Sequence, residues 1–183
     1  VRRRVGWAAA AVGLLAGAVA AAGHPVYVTP DVDEVSARSP ADAIVALGGE
    51  VATARVAYDL AAGGAAGTVV ISDPYGDVDT GFIDGVCAGA PPGPDVVCFD
   101  PEPRTTRGEA RFVADLAERR GWDRVAVMTP TYHVARAEYV VGRCTDAEVA
   151  MVDAGLGVGA GEWVYQYAYQ TAGWLKAWTQ HGC

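Results

Sequence analysis

Lysine is almost missing from this chain: Lys176 is the only one, and arginine supplies every other basic side chain. Acidic residues outnumber basic ones, 22 to 14, for a formal net charge of −8. Arg2, Arg3 and Arg4 carry +3 of that total, so the rest of the chain stands at −11. Nucleic-acid binding runs on phosphate neutralisation, and so acidic a body excludes it as a general activity. A local basic pocket for an anionic small molecule stays open.

Several motifs are missing as well. Gly48-Gly49-Glu50-Val51-Ala52-Thr53 lacks the GxGxxG spacing of a dinucleotide site, and no GxxxxGK[ST] loop occurs. Nicotinamide and ATP chemistry of those kinds are set aside. No GxSxG elbow, HExxH helix or CxxC pair is present, which removes the common signatures of serine hydrolases, zinc proteases and zinc clusters. Asp73, Asp77, Asp79 and Asp84 crowd one loop without the spacing of a calcium loop and read as a solvated acidic turn. No metal site is expected, and no cofactor is indicated.

About half the residues (51%) are apolar in a chain of 183, enough for one domain with a proper core. Three arginines precede an uncharged apolar run from Val5 to about Ala22. That length just spans a bilayer as a helix, and the arginines would stay cytoplasmic. Residues 1–23 therefore read as a membrane anchor or a cleaved signal segment, with a buried core helix as the third reading. The expected location is the plasma membrane, single-pass with the domain outside the cytoplasm, or secretion if the segment is cleaved. Membrane lipid is an expected partner. Cys87, Cys98, Cys144 and Cys183 suit an oxidising compartment. Of three possible pairings, Cys87 with Cys98 would close a short loop and Cys144 with Cys183 would tie back the tail, while four reduced thiols remain the competing reading.

Residues 24–40 read as an extended linker, and 41–183 as one α/β domain. Short apolar runs end in turn residues and alternate with stretches of helical spacing. Strands are predicted at 43–47, 68–71, 95–99, 124–128 and 148–152, and helices at 51–62, 106–120, 132–143 and 162–180. This alternation predicts a Rossmann-like three-layer sandwich, with a mainly parallel sheet of about five strands and helices on both faces. Ligands of such sheets sit at the carboxyl ends of the strands. Gly48, Gly49, Ser72, Asp100 and Thr129 all fall there.

Three places on that rim carry candidate chemistry. Gly48-Gly49 lets backbone amides approach a ligand, or simply makes a tight turn. Thr106 and Glu109 have the spacing of a capping box, and Glu109 is also a candidate general acid or base. His133 and Arg136 share one helical face in a first turn, where they could clamp a phosphate, or stand as a surface histidine and a solvated arginine. The last helix holds Trp163, Tyr165, Tyr167, Tyr169, Trp174 and Trp178. Some of these rings are expected to pack on the sheet and the remainder to meet lipid headgroups.

Read together, these segments resemble the YdcF/SanA/ElyC-like family of bacterial envelope proteins. Asp42-Ala43-Ile44-Val45-Ala46-Leu47-Gly48-Gly49 is similar to its opening D-x-I-V-x-L-G-G strand and turn. Arg55 is similar to an arginine of its first helix, and Ser72 to the small polar residue closing its second strand. Thr105-Thr106-Arg107-Gly108-Glu109 resembles its S/T-T-x-x-E helix opening. Thr129-Pro130-Thr131-Tyr132-His133-Val134-Ala135-Arg136-Ala137 resembles its T-S-x-x-H-x-x-R-A element.

The resemblance implies a polar pocket at the strand ends and a link to cell-wall or lipid-carrier metabolism. It points to Glu109, His133 and Arg136 as catalytic candidates, and to Gly48, Gly49, Arg55, Ser72, Thr106 and Thr129 as ligand-binding ones. The ligand expected is an anionic, phosphorylated or nucleotide-like metabolite. A non-catalytic binding module and a purely structural envelope protein are the alternatives.

Overall fold

The structure is a computed structural model that describes residues 13–14, 17–76, 78–89 and 92–183. Five strands build one sheet: β1 (Ala41–Ala46), β2 (Ala66–Ser72), β3 (Asp95–Phe99), β4 (Arg124–Thr129) and β5 (Glu148–Asp153). Their order is β3-β2-β1-β4-β5, and every pairing is parallel. The fold is thus an α/β sandwich on a five-stranded parallel sheet, consistent with the Rossmann-like arrangement. Between β3, at one edge, and β4 the chain returns to the far side of β1. The crevice beyond β1 and β4 is therefore the topological switch point, where such sheets bind ligands.

Side chains along each strand point alternately to the two faces. From β1, Ile44 and Ala46 face one layer with Val69, Ile71, Ala126 and Met128. Helices α1 (Val51–Leu60) and α2 (Phe82–Gly89) close that layer through Ala54, Ala57, Ile83 and Val86. Ala43, Val45 and Leu47 face the other, with Val70, Val125, Val127 and Met151. There, α3 (Thr106–Arg120) and α4 (Val134–Val141) contribute Ala110, Val113, Leu116, Ala137 and Val141. Burial on both faces explains why the strands read as continuous apolar runs. Truncating Ile44, Leu47 or Ile71, each fully buried, to alanine would cost about 2–5 kcal/mol.

The predicted boundaries mostly hold to within a residue or two. The α3 and β3 spans agree with the pattern. The expected helix 132–143 is split into a 3-10 turn (Thr131–His133) and α4. The α1 helix runs into a wide turn over Ala61–Ala65, closed by Gly64 at φ 89°.

The linker is more ordered than its composition predicts. A single helical turn covers His24–Val28, and Tyr27 is buried with its ring edge-on to Tyr167. Farther on, Asp33 exchanges two hydrogen bonds with Met151: its amide donates to the Met151 carbonyl, and its carboxylate accepts the Met151 amide. This covers part of the exposed side of β5, an edge strand that otherwise offers unpaired backbone groups.

Both cysteine pairs are disulfides, Cys87–Cys98 and Cys144–Cys183. The expected anchor, Val5 to Ala22, lies largely outside the described residues. Among the described residues no helix is long and apolar enough to cross a membrane.

Helix α5 (Ala160–Thr179) departs from expectation. Its fully buried side chains are Gln166, Gln170 and Ala177 rather than its aromatics. Tyr165, Tyr169 and Trp178 are more than half exposed, and Trp163, Tyr167 and Trp174 are half-buried. The helix turns a polar stripe inward because what it covers is a polar crevice and not the apolar sheet.

Candidate functional site

At the carboxyl ends of the strands lies a crevice of about 410 Å³. Gly48-Gly49 floors it from the turn after β1. The first turn of α3 contributes Thr106 and Glu109, the segment after β4 brings His133 and Arg136, and α5 closes one wall with Gln166 and Gln170.

Gly48 must be a glycine. A Cβ there would lie 2.6 Å from Pro74 Cγ and 3.2 Å from Glu109 Oε1. Gly49 has φ 125°, a backbone state that L side chains rarely adopt. The two amides are not available to a ligand, since the Gly48 amide donates to Glu109 Oε1 at 2.6 Å and the Gly49 amide donates to the Tyr75 hydroxyl at 3.1 Å. The glycine pair shapes the floor and orients the carboxyl.

The capping box expected at Thr106 and Glu109 does not form. Thr105 is the N-cap and its hydroxyl accepts from the Gly108 amide. Glu109, one residue out of phase with that cap, turns away from the helix start toward Gly48. Gly108 is required for the same local packing, because a Cβ there would collide with the Pro103 carbonyl oxygen.

Glu109 is only 5% exposed. Burial pushes its pKa above the usual carboxylate value, while the Gly48 amide, the Ser72 hydroxyl and the Arg136 charge pull it back. Ser72 lies near the carboxyl without meeting hydrogen-bond geometry.

His133 is 8% exposed. Burial, and then the neighbouring Arg136 charge, hold its pKa well below the ordinary histidine value, so the ring is neutral at pH 7. Its Nε2 lies 3.3 Å from Thr106 Oγ1, and its Nδ1 is buried without a hydrogen-bond partner.

Arg136 has no Asp or Glu within ion-pair distance among the described residues. Its Nε donates to Gln170 Oε1 at 2.8 Å, and one terminal nitrogen reaches Thr106 Oγ1 at 3.5 Å. Gln170 is in turn set by Gln166, and Gln166 by Glu162, all along one face of α5. Gly173 gives the guanidinium its room, since a Cβ at 173 would lie 2.8 Å from Arg136 Nε. Sequence reasoning missed this relay. The i, i+4, i+8 spacing of Glu162, Gln166 and Gln170 carried the signal, but the aromatic residues around it dominated the pattern. Tyr132, which also lines the crevice, has its phenol pushed up to about 12, chiefly by burial.

The remaining candidates divide. Ser72 closes β2 behind Glu109. Thr129 is fully buried in β4, its hydroxyl without a partner, and does not line the crevice. Arg55 is exposed on α1 with its guanidinium 4.3 Å from the Phe82 ring, away from the crevice. Asp100 pairs with Arg104 at the surface. In the acidic loop, Asp79 and Asp84 accept backbone amides of Gly81 and Thr80, and Asp77 lies outside the described residues. Among the described residues no cluster of His, Cys, Asp or Glu could hold a metal ion.

The arrangement gathers a cation with no ion-pair partner among the described residues, a neutral imidazole and a carboxyl whose pKa burial raises. Such a set can hold an anion and move a proton. No protein-family model, no curated protein and no solved structure matches this chain.

Proposed function

We propose that the crevice binds a phosphate-bearing small molecule and that Glu109 and His133 are its proton-handling pair. The observation that carries this reading is the environment of Arg136: a half-buried cation that lines a crevice, is oriented by neutral amide and hydroxyl groups, and makes no ion pair with a carboxylate among the described residues, Glu109 acting on it only through its nearby charge. Partly burying a charge is costly unless something compensates it, and a ligand phosphate would supply the missing charge in bidentate form. The Thr106 hydroxyl and the helix-initiating amides of α3 add donors at the positive end of that helix.

The chemistry follows from the placement of the two groups. A neutral His133 can accept a proton from an attacking water or hydroxyl. Glu109, whose pKa burial raises, is placed to exchange a proton with a leaving oxygen, with Gly48 holding the carboxyl in place. An anion on Arg136 would raise the His133 pKa by offsetting the guanidinium charge, so binding itself would prepare the imidazole to take a proton.

We place the protein at the plasma membrane with this domain outside the cytoplasm, as in the YdcF/SanA/ElyC-like family that its motifs resemble. The two disulfides support an oxidising compartment. The Arg2-Arg3-Arg4 cluster before an apolar run supports the orientation. The exposed rings on α5 support contact with lipid headgroups. A ligand taken from wall-precursor or lipid-carrier metabolism would be met in that setting.

A second reading, a binding module without turnover, is favoured by one observation: the amides of Gly48 and Gly49 are already occupied within the chain. Native mass spectrometry of the purified chain, followed by turnover assays on any phosphorylated molecule that co-purifies, separates the two. Conversion that is lost in both Glu109→Gln and His133→Gln supports catalysis. A ligand recovered unaltered supports the binding module.

A further inference from the structure

A second groove, of about 420 Å³, adjoins the crevice on the far side of Arg136. The two cavities share Arg104, Thr105, Thr106, Arg136 and Tyr169. The groove adds Arg107 from α3 and Lys176 from α5, and no Asp or Glu lines it. In a chain whose body carries −11, gathering four cations into one acid-free groove runs against the overall composition. Arg104 is balanced by Asp100. Arg107, Arg136 and Lys176 have no Asp or Glu partner among the described residues.

Two of these cations are deliberately positioned. Arg107 donates to main-chain oxygens of Cys183 at 2.6 Å and His181 at 3.2 Å, and the Cys144–Cys183 disulfide fixes that tail. Its Nε is buried without a partner. Arg136 stands at the junction of the two cavities, in the space that Gly173 leaves. Like charges brought together in this way repel, and a bound polyanion removes the repulsion.

We propose that the ligand carries two adjacent phosphoryl groups, one in the crevice on Arg136 and Thr106, the second in the groove between Arg107 and Lys176. This rests on the phosphate reading above and narrows its substrate class to diphosphates. The shared chemistry is the diphosphate itself, whether it comes from a nucleotide or from a prenyl chain.

The test uses the full chain and titrates it with inorganic phosphate, then with pyrophosphate, by calorimetry. One additional charge-assisted contact set is worth about tenfold or more in affinity, so pyrophosphate should bind at least about tenfold tighter. Lys176→Gln, an exposed change, removes one of the two cations proposed for the second phosphoryl and should narrow the gap between pyrophosphate and phosphate. Because Lys176 is the only lysine, acylation of its amine can be followed by mass spectrometry at a single side chain. Pyrophosphate should protect it and phosphate should not. Uridine diphosphate and farnesyl diphosphate, each against its monophosphate, then identify the source, and a diphosphate preference in either pair supports the proposal. Phosphate binding with no gain for any diphosphate, or a gain that Lys176→Gln leaves intact, overturns this inference alone. If neither anion binds, the phosphate reading falls with it.

Discussion

Glu109 Oε1 accepts the amide hydrogen of Gly48 at 2.6 Å, joining the turn after the first strand to the first turn of the third helix. The bond fixes a buried carboxyl across the switch point of the sheet. It also consumes an amide that the sequence offered to a ligand.

Replacing Glu109 with glutamine tests the protonation state of that carboxyl. Its folded pKa lies above the unfolded value of 4.5, so the folded chain keeps the proton to higher pH than the unfolded chain does. The stability this gives is complete below about pH 4.5 and is lost as pH rises through the folded pKa. Glutamine still accepts from Gly48 and has no proton to lose. Thermal melts from pH 4 to 8 should show Glu109→Gln gaining on the parent chain as pH rises. A gap that stays constant with pH would contradict the raised pKa.

His133 works in the opposite direction. Its folded pKa lies well below 6.5. As pH falls through 6.5 the unfolded chain takes up a proton that the folded chain refuses, and stability drops until the folded pKa is reached. His133→Gln should flatten this acid-side loss between pH 6.5 and 5, measured by denaturant unfolding at each pH. An unchanged slope would mean that the ring is solvated.

Gly173→Ala probes the seat of Arg136. Alanine is favoured over glycine in a helix by about 1 kcal/mol, so the fold should not suffer by that measure. The new methyl would displace the guanidinium from Gln170. Phosphate affinity should fall about tenfold, the loss of one charge-assisted contact, while the melting temperature holds or rises. Unaltered phosphate binding would show that Arg136 is not the anchor.

Gly48→Ala should be costly for a different reason, because its Cβ meets the Pro74 ring and the Glu109 carboxyl. Overpacking of this kind costs about 1–3 kcal/mol. Chemical denaturation reads the loss, and an unchanged midpoint would show that the turn can relax.

Removing the Cys144–Cys183 bridge as the double serine variant releases a loop with a sequence separation of 39. Chain entropy puts the loss at up to about 4 kcal/mol. The tail would also let go of Arg107 and Arg111, which both donate to a main-chain oxygen of Cys183. Reduced pyrophosphate affinity should therefore accompany the reduced stability, while phosphate affinity changes less.

The strand and helix alternation, the five parallel strands and the rim that carries Gly48, Thr106 and His133 were legible from the amino acids. Apolar runs buried on both faces of a parallel sheet leave a local pattern, and so do turn residues at their ends. The pattern was silent on direction. Arg136, read from its spacing, and Arg55, implied by the resemblance, were both candidates for the rim, yet Arg55 stacks on Phe82 at the surface and Arg136 enters the crevice. The pattern offered Glu109 to Thr106 as a cap partner, but the cap is Thr105, one residue earlier, which frees the carboxyl for Gly48. In the last helix, ring content outweighed the polar pair Gln166 and Gln170 that turned out to face inward.

Local order along the chain determined which segments are strand or helix and which side chains were available for chemistry, because hydrophobic period and turn chemistry act over a few residues. The crossover between β3 and β4 decided which of those side chains meet. Contacts between residues far apart in sequence depend on how layers stack, and stacking settled that Arg136 would stand beside a neutral imidazole and the buried Glu109 carboxyl, with a second basic groove open behind it.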